Sequence, residues 1–588
     1  MKVRSVLIGV VMVFASLGAW AKSTAEPPIY FYLSPLTAQY QQAKGSSNNT
    51  SLMIWRKYLR RACQCFTEVG REELIGKLKP GILILASSEV LDAQERQAIR
   101  DFAASGGSLL ATWMTGTRDA TGAWVGYDFL GELFKVRVTG EFRRPNNDHW
   151  FMMPFGDGPL SWSIPSGRRM YMGDAVQNML RIESPHLAAV SMNWNREKDD
   201  EGDIGTVAYH ETDKNRSAYF SFPEAAWGFT SQAEILSMLD NTIAWLRRQP
   251  KAFKAAWPNG KEAAHLMEMD TEDKFFSAPS FAKDLESIGA RGTFYSLTSE
   301  AIKYPKIVKE LLARGHEIAY HADVHIGFAK DDPAKQEARI LNMQKQMRSI
   351  LGDDVRLATG FRAPTESYDV NTEILLQKHG IEHHAADPSS TEDRLPFFSK
   401  ANPALGPEDA LVVLPRTQYD DVSYAKLGFS PPKVLETMKH DLDLVVKGGA
   451  LGLLSVHTQH YVDDGMLPKV MPAYVKHVQT YQDRLWIARG DQMAKWWRER
   501  ERVKVKQLDR SKDSGPHQDM VIQLSVAQPG QVRGLTVMVT NPFKNALPTV
   551  RTRQGHADGV KIHPVDAFRT ALIFEVLPVG EFEYLVRF

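Results

Sequence analysis

Short, continuously apolar runs recur along this chain and are separated by amphipathic helical segments. Residues 81–86 (GILILA) and 450–456 (ALGLLSV) are two such runs. A strand that is apolar on both faces is typical of a parallel sheet covered by helices on both sides. The alternation of strands and helices therefore predicts an α/β fold for most of the chain.

Composition argues against several other classes of protein. The chain has 588 residues, of which 43% are hydrophobic and 24% are charged, as expected for a globular protein of several domains. Its 71 Lys and Arg residues nearly balance its 70 Asp and Glu residues, which gives a formal net charge of +1. That balance argues against a protein built to bind nucleic acid or an anionic membrane.

The first 21 residues have the three-part pattern of a secretory signal peptide. Lys2 and Arg4 precede an apolar run over residues 6–17, and the Ala-Trp-Ala sequence at 19–21 offers a cleavage site. The alternative is an uncleaved membrane anchor, although the run is shorter than the ~20 residues that span a bilayer. We expect cleavage, and hence a periplasmic or secreted protein without stable membrane insertion.

Three regions are expected after this segment. Residues 29–250 alternate strands and helices and predict an open, mostly parallel α/β domain of flavodoxin-like type. Residues 252–502 repeat the alternation and carry all the strong chemical signals. After a polar linker, residues 516–588 show short alternating runs between turn signals, which predict a small C-terminal β-sandwich.

The first region carries a fixed order of elements. An apolar strand, a helix, a Gly-Gly pair, a second strand and a D-x-x-G turn at 119–122 follow one another. This order resembles the class I glutamine-amidotransferase-like fold. Where that family places its nucleophilic cysteine, this chain has Trp113, Met114 and Thr115. The resemblance therefore implies an accessory domain without a catalytic role.

In the middle region, polar residues follow the apolar runs where the strands end. The run that begins at Ala263 ends with Asp270, Glu272 and Asp273, and alternation along a strand places Asp270 and Glu272 on the same side. Two carboxylates that converge at a strand end are costly unless a cation or a proton separates them. The alternative interpretation is a solvated acidic turn.

A second run is followed by His321 and His325, which are spaced i,i+4. On a helix or helical turn this spacing places both imidazoles on one face. Such a pair suits a divalent metal that takes two nitrogens and one carboxylate. Many pairs with this spacing are structural, so the spacing alone leaves both interpretations open.

Three further residues end apolar runs in the same way, namely Arg362, Asp387 and His457. Each alone could be a packing or salt-bridge residue. In β/α barrels, active sites are assembled at the carboxyl ends of the parallel strands. The coincidence of five polar strand ends therefore predicts one shared site.

Together these motifs, D-x-E, H-x-x-x-H, R-x-P, D and an apolar run followed by H, resemble the polysaccharide deacetylase (NodB homology) family. The resemblance covers residues 252–502. It implies a distorted (β/α) barrel whose members remove acetyl groups from N-acetylated sugars with a bound divalent metal, usually zinc. It implies that Glu272, His321 and His325 bind this metal.

The resemblance also implies roles for the remaining motif residues. Asp270 matches the general base, Arg362 the arginine that orients it, His457 the general acid and Asp387 the acidic partner of His457. The chain departs from the family because an acid pair separated by Thr271 replaces the usual adjacent pair, so that Glu272 and the residue after it compete for the metal role. A strand at 411–414 and a loop at 416–426 separate Asp387 from His457.

The predicted function is metal-dependent hydrolysis of N-acetyl (or O-acetyl) groups on an extracytoplasmic polysaccharide or oligosaccharide. Two other functions fit the same residues. One is a non-catalytic carbohydrate-binding or scaffold protein with a degenerate barrel. The unusual acidic segment at 270–273 is the feature that favours this alternative. The other is a hydrolase of non-sugar amide C–N bonds. A His₂-carboxylate set suits several divalent ions besides zinc.

Overall fold

The computed structural model describes residues 27–143, 151–155, 158–173, 176, 178–192, 204–228, 233–386, 394–508, 519–552, 555–556 and 558–588. The predicted signal peptide at 1–21 and Asp387 lie outside these residues. The export signal and the role of Asp387 therefore stay predictions. Among the described residues, no helix combines the length and apolarity that a membrane span requires.

The first region is built on one sheet, with eleven strands in the described part of the chain. They are β1 (Ile29–Tyr32), β2 (Phe66–Val69), β3 (Ile82–Leu85), β4 (Ser108–Thr112), β5 (Arg137–Arg143), β6 (Phe151–Pro154), β7 (Met170–Tyr171), β8 (Asn178–Glu183), β9 (Leu187–Met192), β10 (Gly205–Glu211) and β11 (Arg216–Phe220). Strands β2, β1, β3, β4 and β11 lie side by side in this order and run parallel.

The other half of this sheet is antiparallel, from β11 through β10, β9, β6 and β7, with β5 and β8 paired beside β10. The mostly parallel sheet expected from the sequence is therefore a mixed sheet. The reason is local: the polar turn between β10 and β11, in which Thr212 N–H donates to the Asn215 carbonyl at 2.9 Å, closes an antiparallel hairpin. A parallel pair would need a much longer crossover.

Helices flank the sheets. In chain order they are α1 (Pro35–Ala43), α2 (Asn49–Arg61), α3 (Arg71–Ile75), α4 (Ala93–Ala104), α5 (Asp128–Phe134), α6 (Ala225–Gly228), α7 (Ala233–Leu246), α8 (Ala278–Glu286), α9 (Thr298–Ala301), α10 (Pro305–Ala313), α11 (Pro333–Leu351), α12 (Val370–Lys378), α13 (Asp421–Lys426), α14 (Pro431–Gly448), α15 (Leu467–Gln479) and α16 (Gly490–Glu501). Trp55 of α2 and Leu239 of α7 pack in one core of the first region, while Ile99 of α4 and Phe129 of α5 pack in a second. Helices therefore contribute to both cores of this region, as the apolar strands predict.

The middle region is built on a second sheet. Its elements in chain order, after the short strand β12 (Ala252–Lys254), are β13 (Ala263–Thr271), β14 (Thr293–Ser296), β15 (Glu317–Tyr320), β16 (Gly360–Arg362), β17 (His383–Ala386), β18 (Phe397–Phe398), β19 (Val412–Pro415), β20 (Leu451–His457) and β21 (Leu485–Ile487). The sheet order is β18-β19-β17-β16-β15-β14-β13-β20, with β21 paired to β13, and all pairs except β18–β19 are parallel. Every residue of β13 is buried. This curled parallel sheet is consistent with the predicted deacetylase barrel.

The curled sheet is open between its outermost parallel strands, β19 and β20. No backbone ladder joins β19 to β20 in the ranges that the structure describes. Thr417, two residues after β19, bridges the gap: its hydroxyl donates to the Leu451 carbonyl at 2.6 Å and accepts from Leu453 N–H at 3.1 Å. A side chain thus makes the connection that a strand pair makes in a closed barrel, and the carboxyl ends of β13, β16, β19 and β20 are brought together.

The C-terminal region adds β22 (Val503–Leu508), β23 (Met520–Val526), β24 (Val532–Thr540), β25 (Thr549–Thr552), β26 (Gly555–His556), β27 (Val560–Pro564), β28 (Arg569–Leu577) and β29 (Gly580–Arg587). They form two antiparallel sheets, β12-β24-β28-β27 and β22-β23-β29-β25-β26. Phe574 and Tyr584 from the two sheets meet at a ring-centroid distance of 4.9 Å. The sequence assigned β12 to the middle region and β22 to a linker, but both pair with C-terminal strands, so the β unit extends beyond residues 516–588.

Candidate active site

Strand β13 and the residue that follows it carry three acidic side chains at alternate positions. Glu268, Asp270 and Glu272 alternate with Met269 and Thr271, and side chains two residues apart share a side of a strand. Glu268 is fully buried, Asp270 is 2% exposed and Glu272 is 9% exposed. Carboxylates this deeply buried require cationic or hydrogen-bonding partners, and the neighbouring strand ends supply them.

Glu272 meets both histidines of the segment that follows β15. Its Oε1 lies 3.2 Å from His321 Nε2 and 2.7 Å from His325 Nε2. The three possible donor atoms lie within 4.8 Å of one another. Two imidazole nitrogens and one carboxylate oxygen are the donor set of zinc sites that keep a position open for water. The residues present therefore fit a divalent metal ion.

The carboxylate of Glu272 is held ionised by its surroundings. Burial alone would raise the pKa of Glu272, but hydrogen bonds with His321 and His325 hold it well below its usual range. Gln459 Nε2 donates to the second oxygen, Oε2, at 3.0 Å. Asp273, the other acid that the sequence left open, is exposed. Glu272 is thus the acid that faces the histidines.

The ring of His321 is oriented by the backbone of β16. Its Nδ1 lies 3.0 Å from the Arg362 carbonyl oxygen. A carbonyl can only accept, so Nδ1 donates, and Nε2 is the ring nitrogen that faces Glu272. In metal-binding histidines, the ring nitrogen that does not bind the metal typically donates a hydrogen bond to a carbonyl or carboxylate oxygen. This bond fixes both the tautomer and the orientation of the ring.

The histidine pair lies on an irregular loop, which corrects the helix or helical turn expected from the i,i+4 spacing. Strand β15 ends at Tyr320, and Ala322 has a φ of 100°, in a region that non-glycine residues rarely adopt. Arg339 of α11 forms an ion pair with Asp323 at 3.0 Å and anchors the loop. The two imidazole rings nevertheless converge, with centroids 5.5 Å apart.

Asp270 is paired with Arg362 at the end of β16. Arg362 Nε donates to Asp270 Oδ2 at 2.9 Å. The other oxygen, Oδ1, has no hydrogen-bond partner in the described structure and lies 3.7 Å from His321 Nδ1. His457 Nε2 lies 3.6 Å from Asp270 Oδ2. A buried carboxylate with one oriented and one unpartnered oxygen is suited to accept a proton.

His457 closes β20 and is bound to a buried acid. Its Nδ1 lies 2.6 Å from Asp421 Oδ1, and its backbone N–H donates to Asp421 Oδ2 at 2.9 Å. Burial alone would lower the pKa of His457, but the Asp421 carboxylate raises it to about 10. Burial alone would raise the pKa of Asp421, but His457 lowers it to about 2. The imidazole is therefore a cation at neutral pH, with Nε2 toward Asp270.

Sequence reasoning missed Asp421. It placed a loop at 416–426 and assigned the acidic role to Asp387, whose position the structure does not describe. In the structure Asp421 begins α13, and Asp420 caps this helix by accepting from Ser423 N–H at 2.7 Å. The available signal was the pair of acids shortly after the apolar run at 411–414, which follows the same rule of polar groups after strand ends.

Two more acids contact Arg362 and were also missed. Arg362 Nη1 donates to Glu268 Oε1 at 2.9 Å, and Arg362 Nη2 donates to Glu366 Oε1 at 2.6 Å. Glu268 was visible in the sequence as an acid two residues before Asp270, on the same side of the strand. Glu366 lies on a 3₁₀ turn after β16, a position that strand-end reasoning does not reach.

A stretch of the middle region matches a known family model. Residues 276–384 match the model described as polysaccharide deacetylase. This stretch has polysaccharide deacetylase homology. It contains both histidines of the loop and Arg362, and it lies between β13 and β20, which supply the other groups of the site. That homology supports a hydrolase.

Several solved structures resemble the chain at low identity. Agd3, described as a novel carbohydrate deacetylase, is 10% identical with a TM-score of 0.39, and the match covers 95% of this chain and 98% of that one. Puue allantoinase is 17% identical over 41% of this chain and 92% of that one, with a TM-score of 0.36. A family 4 carbohydrate esterase from Streptomyces lividans is 14% identical over 40% of this chain and 93% of that one, with a TM-score of 0.27. No curated protein matches the chain.

Proposed function

We propose that this protein is a metal-dependent hydrolase that removes N-acetyl (or O-acetyl) groups from a polysaccharide outside the cytoplasm. One observation carries the proposal: the donor atoms of Glu272, His321 and His325 lie within 4.8 Å of one another, beside an Asp270 carboxylate that is 3.7 Å from His321 and 3.6 Å from His457. The family match over residues 276–384 supports the carbohydrate substrate. The signal-peptide pattern at 1–21 supports export.

Glu272, His321 and His325 would hold the ion, and zinc suits their donor set best. When bound, zinc supplies a Lewis acid that lowers the pKa of water and polarises a carbonyl group. The protein contributes the orientation of the ligands. The Arg362 carbonyl fixes the His321 tautomer, and Gln459 holds the second oxygen of Glu272.

Asp270 is the proposed general base. Its Oδ1 accepts a proton from the attacking water as the new C–O bond forms at the acetyl carbon. Arg362 Nε donates to Oδ2 at 2.9 Å, which orients the carboxylate. His321 Nδ1 lies 3.7 Å from Oδ1, but it donates its hydrogen bond to the Arg362 carbonyl oxygen. Oδ1 can therefore accept a proton.

His457 is the proposed general acid. An amine leaves poorly as an anion, so it must be protonated as the C–N bond breaks. Asp421 keeps the imidazole charged, and Nε2 carries the proton that is delivered. The products are acetate and a free amine, or a free hydroxyl when the substrate is an ester. Asp270 gains one proton and His457 loses one, so the total number of protons on the protein is unchanged by the reaction.

The test is acetate release from acetylated glycans by the purified mature protein, with chitooligosaccharides and acetylated polysaccharides as substrates. Acetate release that a chelator stops and zinc restores is the expected result. Asp270→Asn should abolish it, while Asp443→Asn, which alters an exposed pair with His477, should keep full activity. Glycan binding without acetate release would instead indicate the scaffold function, and hydrolysis of only non-sugar amides would indicate the third function.

A further inference from the structure

The guanidinium of Arg362 is surrounded by three carboxylates. Nε donates to Asp270 at 2.9 Å, Nη1 to Glu268 at 2.9 Å and Nη2 to Glu366 at 2.6 Å. Arg362 is 2% exposed, so water screens these charges poorly. One buried cation does not neutralise three anions, and like charges in such a cluster disfavour ionisation of one member.

Two of the three acids have a second positive neighbour. Glu366 Oε1 lies 3.1 Å from Arg416 Nε, and Asp270 Oδ2 lies 3.6 Å from His457 Nε2. Among the described residues, Arg362 is the only cation that forms an ion pair with Glu268. Glu268 is therefore the member of the cluster with the least compensation for a negative charge.

The surroundings of Glu268 favour a protonated acid. It is fully buried, its Oε2 makes no close hydrogen bond among the described residues, and the Ser455 hydroxyl is the neutral group directed toward it. The Tyr295 hydroxyl is also buried and has no partner in the described structure. The register pairs Glu268 with Ser455 on β20, and Tyr295 lies opposite Asp270 on β14, so neighbouring strands face Glu268 with neutral groups. The facing charged groups are Arg362, Asp270 and the acid of the 3₁₀ turn.

We propose that Glu268 is a neutral carboxylic acid in the working enzyme and positions the Asp270 base through Arg362. As a neutral acceptor it holds Nη1 in place and leaves the positive charge of the guanidinium to Asp270. Burial raises the pKa of Glu268 to about 8, although Arg362 alone would lower it, which agrees with this assignment. Glu268 is thus a positioning residue, and its effect on the rate rests on the proposed function.

Ionisation of Glu268 changes this arrangement. A third full anion on the same guanidinium competes with Asp270 for its charge and loosens the orientation of the base. The turnover number of the wild type should therefore fall in two steps as the pH rises, first near pH 8 with Glu268 and then near pH 10 with His457. KM should change little, because Glu268 is buried beneath the base.

Glu268→Gln tests the assignment on activity, because Gln keeps the acceptor oxygen for Arg362 and cannot ionise. We expect wild-type turnover at pH 6.5 and loss of the step near pH 8, with the later step unchanged. Glu366→Gln is the matched control: it leaves Glu268 able to ionise, so the step should remain, but at lower pH because one of the negative charges that raise the pKa of Glu268 is removed. Glu268→Leu leaves Nη1 without a partner, and we expect kcat to fall at least ~10-fold at all pH values with KM unchanged.

A second readout does not depend on acetate release. A group whose pKa is raised in the folded state destabilises the fold as the pH rises, here between its ordinary value of 4.5 and about 8. The Tm of the wild type minus that of Glu268→Gln should therefore fall across this range and then level off. A flat Tm difference would overturn the neutral Glu268 whether or not the protein is active. If the Tm difference falls with pH but the protein releases no acetate, the neutral state of Glu268 is supported and the proposed function is contradicted.

Discussion

The Asp421 carboxylate binds His457 twice, through Nδ1 at 2.6 Å and through the backbone N–H at 2.9 Å. It also lies 3.0 Å from His460 Nδ1. Asp421 is 1% exposed. Because the pKa of His457 is raised in the folded protein, the stability that this pair contributes is fully present below about pH 6.5 and is lost as the pH rises through about 10.

Asp421→Asn should move the alkaline limb of activity to lower pH. Without the Asp421 carboxylate, burial is opposed only by the charges of Asp270 and Glu272, so the pKa of His457 should fall below about 10. Fewer imidazoles would then be charged at a given alkaline pH, and kcat there should fall. Initial rates of acetate release between pH 5 and pH 10 measure the limb. A variant whose limb stays near pH 10 would show that Asp421 does not set the charge of His457.

Glu272→Gln should remove the metal. Gln offers a neutral amide where the two histidines and a cation require a carboxylate, so we expect zinc affinity to fall by at least ~100-fold and acetate release to be lost. Asp273→Asn is the control, because Asp273 is the adjacent acid and is exposed. Zinc per chain after dialysis, measured by atomic emission, distinguishes the two variants. Equal zinc loss in both would contradict the ligand set.

Part of this site could be predicted from sequence because strand ends are local signals. Asp270, Arg362 and His457 each end or follow a short apolar run, and parallel strands place such residues at one edge. The structure brings all three together with Glu272 and the loop histidines. The spacing of the histidines was informative although its structural reason was wrong, since a loop and not a helix turns both rings toward Glu272.

Contacts that depend on loop geometry could not be predicted in the same way. Asp421 reaches His457 because α13 begins directly after a loop that Thr417 ties to β20, and no periodic pattern encodes this. Strand β12 is a related case: it is three residues long, and its sequence alone does not indicate that it pairs with β24 of the C-terminal region. The antiparallel half of the first sheet was missed because apolar runs alone do not give strand direction.

Glu317→Gln should destabilise the barrel more than a matched surface change. Glu317 and His383 lie 2.6 Å apart and are 1% and 0% exposed. Burial alone would lower the pKa of His383, but Glu317 raises it above 6.5. Removing one partner of a buried ion pair typically costs about 3–5 kcal/mol. The stability that this pair contributes is fully present below about pH 6.5 and is lost as the pH rises through the raised pKa of His383. The loss of stability in Glu317→Gln should therefore be larger at pH 6 than at pH 9.

Glu337→Gln is the control for that measurement. Glu337 forms a similar pair with His379 at 2.7 Å, but both side chains are partly exposed. Exposed ion pairs contribute little to stability, because water screens their charges. Urea unfolding of both variants and the wild type at pH 6 and pH 9 supplies the comparison. A buried-pair variant as stable as the surface variant would contradict a charged Glu317–His383 contact.

Thr417→Val should weaken both the fold and the reaction. The hydroxyl makes two hydrogen bonds to β20, and replacing it with a methyl group leaves the Leu451 carbonyl and the Leu453 N–H without this partner, at a cost of about 1–3 kcal/mol. Because Thr417 lies four residues before Asp421, the gap should widen where Asp421 approaches His457, and kcat should fall while bound zinc stays unchanged. Thr417→Ser keeps the hydroxyl and should restore both stability and kcat, as measured by urea unfolding and acetate release. If valine and serine behave alike, the hydroxyl does not hold the end strands together.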